Sequence, residues 1–330
     1  MSSNFQDSDK PQVSIIIPTK DNAKLLQACI ESIQTKSSYK NYEIIIVDNN
    51  SKKDETKRYL NTLKHRVLSY PEPFNFSSIN NLAVANAKGE HIVFLNDDTQ
   101  VISQDWIERM LEHSVKPNVG AVGALLLYPN DTIQHAGVLI GVGGITIHAF
   151  EGLPKDNMGY KGLVQQIREC SAVTGACLMI KKRLFDQVGG FDEHFAYSFN
   201  DIDICLRLRE KGYLIIYTPH AVLYHRGTAT RSYTDDEKEI VYFVNRWHDL
   251  ILRGDPYYDH NLSRVRPFEP KGKNEKLVLS ETRLFDESEQ RFDKRLGKYV
   301  EVSNKVRKKH GTKRLVTEII RFFKKRALKE

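Results

Sequence analysis

The sequence predicts an α/β fold: a mostly parallel central sheet flanked by helices, with a helical C-terminal extension. Short apolar runs alternate with segments of helical periodicity through the first half of the chain. The first three of these runs each end in a polar turn, as strands joined by right-handed crossovers do. With 40% hydrophobic and 28% charged residues, the 330-residue chain has the composition of a globular protein, which excludes wholesale disorder.

The first half of the chain divides into four strands and the helices that follow them. Apolar β-branched runs predict buried strands at 13–18, 42–51, 91–98 and 119–128. Apolar residues at helical spacing predict helices at 23–34, 54–63, 77–87 and 103–115, the last with Ser103 as its N-cap. In open sheets of this kind, ligands bind beyond the carboxyl ends of the strands. The polar residues expected there are Thr19, Asp21, Asp48, Asn49, Asp97 and Asp98.

The second half of the chain is less regular. The glycine-rich segment 135–150 matches neither the dinucleotide-binding nor the P-loop pattern, so it predicts strand and loop. Further elements are a strand and short helix at 171–191, a helix at 200–213, a strand at 214–219 ended by Pro219, and a helix at 235–251. The predicted organisation is a disordered N terminus at 1–12, one α/β domain at 13–252, a polar extension at 253–303 and a basic amphipathic helix at 304–330.

Bulk properties exclude several classes of protein. The four cysteines lack the spacing of a zinc or redox motif, which predicts buried, reduced thiols. No secretory signal is present, and no apolar stretch reaches the roughly 18 to 20 residues that span a bilayer, so we expect a cytoplasmic protein. The net charge of +7 is uneven, because residues 304–330 carry eleven Lys or Arg and two Glu, which leaves −2 for the rest. With no recognisable nucleic-acid module either, nucleic acid is not an expected partner.

Two acidic clusters are candidate sites. Asn96, Asp97 and Asp98 follow an apolar run, and carboxylates are ligands that Mg²⁺ and Mn²⁺ prefer. A polar turn explains the same residues equally simply. Asp201 and Asp203 open a predicted helix, where acids also stabilise the helix dipole. Two residues apart on a helix they face different directions, so one of them is expected to be structural and to pair with Arg207.

Six segments together resemble family 2 glycosyltransferases. In chain order they are VSIIIPTKDN, EIIIVDNNS, AKGEHIVFLNDDTQV, TGACLMIKKRLFDQVGGFDE, FNDIDICLRLREKGYLIIYTP and LYHRGTATR. The resemblance runs from about Val13 to Arg231, roughly two thirds of the chain. It is closest to bacterial enzymes that build O-antigen, capsule or other surface polysaccharides, including those described as rhamnosyltransferase-like.

The resemblance implies a GT-A fold and transfer of a sugar, with inversion, from a nucleotide-diphosphate donor. Asp201 matches the general base of the family, and Asn200 before it replaces the more common Glu. Asp98 matches the metal ligand, His225 completes the metal–diphosphate site in several relatives, and Asn96 is a neutral version of the first motif position. Asp98, His225 and Asn96 would hold Mg²⁺ or Mn²⁺. Nucleotide-binding residues are expected to be Pro18, Thr19, Asp21, Asp48, Asn49 and Asp97, with Asp48 accepting from the base edge and Asp97 in a supporting role.

The expected partners are a nucleotide-sugar donor, with a UDP-sugar favoured over dTDP-rhamnose, and a saccharide or lipid-linked saccharide acceptor. Two alternatives stay open at the level of sequence. A nucleotidyltransferase would need a glycine-rich phosphate loop after the first strand, which IIIPTKDN lacks. A catalytically silent sugar-nucleotide or polysaccharide-binding subunit would not need Asp201. The tail at 304–330 predicts either a peripheral helix on the inner face of the cell membrane or a helix packed on protein.

Overall fold

The computed structural model describes residues 10–227 and 237–272. The predicted helix at 304–330, nearly all of the predicted disordered N terminus and most of the polar extension lie outside these residues. The described residues form two compact units, one of residues 10–138 with 148–227 and the other of residues 139–147 with 237–272.

The strands and helices are numbered in chain order. The strands are β1 (Val13–Thr19), β2 (Tyr42–Asp48), β3 (Arg66–Ser69), β4 (His91–Leu95), β5 (Thr99–Val101), β6 (Val119–Leu127), β7 (Ile133–His135), β8 (Val138–Ile140), β9 (Thr146–His148), β10 (Arg168–Glu169), β11 (Cys177–Lys181) and β12 (Leu214–His225). The helices are α1 (Ala23–Lys36), α2 (Asp54–Thr62), α3 (Phe76–Ala85), α4 (Trp106–Ser114), α5 (Lys182–Gln187), α6 (Asn200–Glu210) and α7 (Glu237–Arg253), with a short 3₁₀ helix at Tyr160–Gln165.

The first unit is built on a ten-stranded sheet. Eight of its strands follow the order β10-β12-β6-β11-β4-β1-β2-β3, and the other two, β5 and β7, pair with β12 and β6. The predicted parallel arrangement is confirmed across β4, β1, β2 and β3. The other half of the sheet is mixed, because β11 lies antiparallel between β4 and β6. Strands β1, β2, β4 and β12 all belong to this one sheet.

The core of the first unit fills the space between the sheet and helices α1 and α4. Leu26, Cys29 and Ile33 recur at helical spacing on α1 and are fully buried, which is why this segment is helical and faces the sheet. Trp106 begins α4, is fully buried and donates from its indole nitrogen to Ser37 Oγ at 2.9 Å. The four cysteines are buried thiols, as predicted.

Two local predictions were wrong. Pro219 does not end its strand: β12 continues to His225, and its pairing with β6 shifts register between Thr218 and Val222. Such an irregularity accommodates a proline, which has no N–H for the ladder. Ser103 is not a helix N-cap, because α4 begins at Trp106 and the Ser103 hydroxyl accepts from the backbone N–H of Val222 at 2.9 Å.

The second unit contains α7, the chain that follows it to residue 272 and the segment 139–147. Arg264 donates from Nε to Gly141 O and from Nη1 to Leu252 O, both at 2.7 Å. Asp255 accepts from the backbone N–H of Ile140 at 2.9 Å. Within the described residues, no helix combines the length and the apolar character needed to cross a membrane.

Candidate functional site

The ends of β1, β2 and β4 lie at the same edge of the sheet, as the parallel pairing requires. The Thr19 hydroxyl donates to Asp97 Oδ2 at 2.7 Å, which ties the end of β1 to the turn after β4. The backbone N–H of Asn49 donates to Thr19 O at 2.9 Å, which adds the end of β2. Pro18, directly before Thr19, pairs with Val47 on β2. The expected convergence of these strand ends is therefore present in the structure.

A second cluster of hydrogen bonds surrounds Asp21. This residue has a left-handed backbone with φ 55°, which Asp tolerates better than most residues. Its backbone N–H donates to Ser51 Oγ at 2.9 Å, and the Ser51 N–H donates to Asp48 Oδ1 at 3.1 Å. Asp21 Oδ1 accepts from the backbone N–H groups of Lys52 and Lys53, both at 2.7 Å. Burial alone would raise the pKa of Asp21, but these backbone donors and nearby lysine charges lower it overall.

Asp98, His225 and Asn96 come together beside that edge. His225, the last residue of β12, pairs with Thr99 on β5, which brings its ring to the turn after β4. Its Nε2 lies 3.2 Å from Asp98 Oδ1 and 3.2 Å from Asn96 Nδ2. The other Asp98 oxygen accepts from the backbone N–H of Gly227 at 3.0 Å. Burial alone would raise the pKa of Asp98, but the hydrogen bond and charge of His225 lower it overall.

These three residues fit a divalent cation by their donor chemistry. They offer a carboxylate, an imidazole and an amide whose oxygen and nitrogen can be exchanged by rotation, and the imidazole lies within hydrogen-bonding distance of the other two groups. A mixed nitrogen and oxygen set suits Mn²⁺ better than Mg²⁺. No group of three or more His, Cys, Asp or Glu residues within 10–227 and 237–272 is arranged to hold a metal. The set therefore depends on Asn96 and on oxygens supplied by a substrate.

Asp97 is set apart from its neighbours. It is only 7% exposed, and its Oδ2 already accepts from Thr19. Burial raises the pKa of Asp97 to about 7, with the Asp98 charge adding to the rise and the Thr19 hydrogen bond opposing it. In this arrangement Asp97 links the ends of β1 and β4.

Asp201 stands at the start of α6, directly after the left-handed residue Phe199 (φ 62°) and Asn200. Its Oδ2 accepts from the backbone N–H of Gly175 at 2.7 Å and its Oδ1 from that of Ile202 at 2.8 Å. Two backbone donors thus fix a half-buried carboxylate in one orientation. This is the arrangement that a positioned proton acceptor needs.

Asp203 has the structural role expected of one of the two acids on α6. Its side chain is fully buried and accepts from Arg207 Nε at 2.7 Å. Arg207 also donates to Gly190 O at 2.7 Å and to Val188 O. The predicted ion pair between Arg207 and one of the two acids is confirmed by these contacts.

The turn of residues 174–176 joins the two halves of the site. Gly175 donates to Asp201, and Ala176 O accepts from the backbone N–H of Asn96 at 3.2 Å. A Cβ on Gly175 would lie 3.3 Å from Asp201 Cβ and 3.4 Å from the Phe76 ring. Sequence reasoning assigned no role to Gly175 or to Ser51. For Gly175, the available clue was a glycine just before a buried strand, which often marks a close backbone approach.

Comparison with known proteins adds a family and a fold. The family described as Glycosyl transferase family 2 matches residues 14–189, more than half of the chain. The protein y4gI of Sinorhizobium fredii is 42% identical over 271 residues, which cover 78% of this chain and 30% of that protein. The O-antigen biosynthesis protein RfbC of Myxococcus xanthus is 36% identical over 262 residues, covering 77% of this chain and 20% of RfbC. The chain thus spans less than a third of the length of these relatives.

One solved structure tests the fold. A crystal structure of GalNAc-T7 with UDP, GalNAc and Mn²⁺ superposes with a TM-score of 0.60 at 14% identity, over 74% of this chain and 50% of that one. At such low identity the likeness concerns the fold alone. It confirms the predicted α/β, GT-A-like arrangement of a central sheet flanked by helices.

Proposed function

Because the chain belongs to glycosyl transferase family 2, we propose that it is a metal-dependent inverting glycosyltransferase. The observation that carries the proposal is a single connected site. His225 Nε2 lies 3.2 Å from both Asp98 and Asn96, and the backbone of the 174–176 turn hydrogen-bonds to the Asn96 N–H and to the Asp201 carboxylate. A cation-binding set and a fixed carboxylate are the two groups that inverting sugar transfer requires.

Asp201 acts as the general base. Its oxygens each accept one backbone N–H and keep further lone pairs for an acceptor hydroxyl. As the hydroxyl oxygen attacks the anomeric carbon, its proton passes to the carboxylate and the bond to the nucleotide diphosphate breaks. No covalent sugar intermediate is needed, so no nucleophilic Ser or Cys is required. The four cysteines are buried.

Asp98, His225 and Asn96 would hold the cation, with Mn²⁺ favoured and Mg²⁺ as the alternative. When bound by these residues, a divalent cation would supply positive charge to stabilise the negative charge on the leaving diphosphate. The Mn²⁺ in the GalNAc-T7 structure supports this part of the proposal. The backbone N–H of Gly227 and the ring of His225 fix the Asp98 carboxylate before any ligand arrives.

The nucleotide would lie along the ends of β1, β2 and β4, against Pro18, Thr19, Asp21, Asp48, Asn49 and Asp97. Asp48 would accept from the edge of the base, which favours a UDP-sugar, with dTDP-rhamnose as the alternative. The acceptor is a saccharide or lipid-linked saccharide in the synthesis of a cell-surface polysaccharide. The relative named as an O-antigen biosynthesis protein supports this direction.

A donor panel tests the proposal. UDP-, dTDP- and GDP-sugars are supplied with Mn²⁺ or Mg²⁺, with and without a set of saccharide acceptors, and release of nucleotide diphosphate is measured. We expect one donor class to be turned over, and we expect Asp201→Asn and Asp98→Ala to stop the reaction. Asp105→Asn, a surface change on the i,i+4 pair with Arg109, is the control. Binding of a sugar nucleotide without turnover would favour the silent binding subunit. The absence of both binding and turnover would refute both functions.

A further inference from the structure

A buried histidine outside the proposed machinery supports the turn that joins its two halves. His135 is the last residue of β7, and its side chain is fully buried. Its Nδ1 lies 3.0 Å from Ala124 O, and its Nε2 accepts from the backbone N–H groups of Gly137 and Thr174, both at 3.2 Å. Because Nε2 accepts two N–H groups, it carries no proton. The ring is therefore neutral, with its hydrogen on Nδ1.

The surroundings of His135 maintain that neutral state. Burial lowers the pKa of His135 well below its ordinary value, and the nearby His148 and Arg168 act in the same direction. The His148 ring meets the His135 ring edge-on, with centroids 5.1 Å apart. Tyr217 approaches from β12 with its ring centroid at 6.4 Å. Nε2 is thus kept as an acceptor for the backbone.

The turn held by His135 is the one that contacts both halves of the site. Thr174 donates to His135, and the next residue, Gly175, donates to Asp201 Oδ2 at 2.7 Å. One residue later, Ala176 O accepts from the N–H of Asn96 at 3.2 Å. The turn also closes on itself, since the Ala176 N–H donates to Thr174 Oγ1 at 3.3 Å. Three successive residues therefore connect His135, the carboxylate of Asp201 and the strand end that carries Asn96.

We propose that His135 is a positioning residue, which fixes the 174–176 turn and thereby the orientation of Asp201 relative to the cation-binding residues. The inference rests on the proposed function, because it assigns Asp201 the role of base. A purely space-filling histidine would have no need of an acceptor at the Nε2 position. Here the Nε2 acceptor serves two buried backbone donors, one of which lies a single residue from the donor to Asp201.

Two amide variants separate positioning from packing. His135→Gln places a side-chain oxygen near the Nε2 position and can still accept from Thr174, whereas His135→Asn is too short to do so. We expect His135→Asn to lower the kcat of sugar-nucleotide turnover by about 10- to 100-fold, since a misplacement of about 1 Å costs roughly that much. We expect His135→Gln to retain most of the rate. The KM for the donor should stay within about threefold in both variants, because Thr19, Asp48 and Asn49 are fixed by hydrogen bonds that do not involve this turn.

His91 supplies the matched control. It is another buried histidine, its Nδ1 lies 2.8 Å from Ser114 Oγ, and it stands at the start of β4, at the end of the strand away from the site. His91→Asn and His91→Gln should lower the melting temperature with no selective loss of kcat. All variants are compared at a temperature at which circular dichroism shows them folded.

The outcomes are distinct. The positioning role is overturned if His135→Asn and His135→Gln have the same kcat. It is also overturned if the His91 variants lose as much kcat at the same melting temperature. Either result leaves the proposed function intact. Loss of turnover in Asp201→Asn, with the wild-type protein active, tests the base independently. A wild-type protein that turns over no sugar nucleotide refutes the proposed function and this inference together. A His135→Asn protein that is folded and slow, beside an active His135→Gln protein, supports the inference.

Discussion

At the scale of single residues, the proposed base and a buried ion-paired acid lie two positions apart on α6. Asp201 is fixed by backbone donors and faces the 174–176 turn, whereas Asp203 is fully buried against Arg207. We expect Asp201→Asn to lower kcat by at least about 100-fold, because a general base contributes roughly that much or more. The melting temperature should change little. Initial rates of nucleotide release and a thermal melt on the same preparation measure the two effects.

Asp203→Asn should show the opposite pattern. Removing one partner of a buried ion pair leaves the Arg207 charge uncompensated, which costs about 3 kcal/mol of unfolding free energy. Denaturation in urea measures this loss. The rate per folded molecule should remain near that of the wild-type protein. A stable Asp203→Asn protein with no activity would show that the roles of the two carboxylates are reversed.

Gly175 offers a residue-scale test of how closely the turn approaches the base. A Cβ there would lie 3.3 Å from Asp201 Cβ and 3.4 Å from the Phe76 ring, so the neighbours must shift by a few tenths of an ångström. We expect Gly175→Ala to lower kcat by about tenfold, since the shift falls on the reacting group. Gly272→Ala, whose nearest neighbour is 4.0 Å away, is the control and should have no effect. Equal rates for both variants would contradict the close contact.

At the scale of elements, the position of His225 depends on the length of β12. The sequence predicts a strand ended by Pro219, whereas β12 runs to His225 and pairs its last residues with β5. Pro219 does not mark the end of the strand, because β12 pairs with β6 again after a register shift next to the proline. The strand ends after β1, β2 and β4 were predictable from apolar runs that stop at polar residues. The antiparallel insertion of β11, which brings the 174–176 turn to Asn96, involves long-range pairing that no local pattern encodes.

The cation site at the end of β12 has a direct test. We expect EDTA to abolish turnover and Mn²⁺ to restore it, with Mg²⁺ less effective because an imidazole is among the ligands. His225→Ala should raise the Mn²⁺ concentration for half-maximal activity by at least about tenfold. Calorimetric titration of Mn²⁺ in the presence of UDP measures the same change without turnover. An unchanged Mn²⁺ requirement in His225→Ala would remove this residue from the cation site.

The pairing of β4 with β11 predicts a dependence of stability on pH. Burial lowers the pKa of His91 to about 4, and the charges of Lys181, opposite it on β11, and Arg183 add to the effect. In the unfolded chain the ordinary value is 6.5, so the unfolded state binds the proton first as pH falls. The contribution of neutral His91 is therefore complete above about pH 6.5 and is lost towards pH 4.

That contribution amounts to at most about 3 kcal/mol of unfolding free energy. We expect His91→Gln to reduce the loss of stability of the wild-type protein between pH 6.5 and 4.5. Urea denaturation at several pH values measures the two profiles, and parallel profiles would show that His91 is not responsible. Because His135 is also buried and neutral, the unfolding free energy of His91→Gln should still fall to some extent as the pH is lowered.

At the scale of the whole molecule, the tail at residues 304–330 and the rest of the chain differ in net charge. Residues 304–330 carry a local charge of +9, while the remainder of the chain sums to −2, so attraction to an anionic surface must come from the tail. This segment lies outside the described residues, and its amphipathic pattern is a property of the sequence. If the acceptor is linked to a lipid, membrane binding by residues 304–330 would concentrate the enzyme at the surface that carries the acceptor.

We therefore expect the full chain to sediment with vesicles that contain anionic lipid and a variant without residues 304–330 to remain in the supernatant. Binding of the full chain should weaken as salt rises, since basic residues near a charged surface are screened within about a Debye length. Vesicles of neutral phosphatidylcholine are the control for the electrostatic part. Turnover with a water-soluble acceptor should be the same with and without the tail, because the proposed site lies within residues 18–225. If the truncated chain binds anionic vesicles as well as the full chain does, the tail is not responsible for membrane binding.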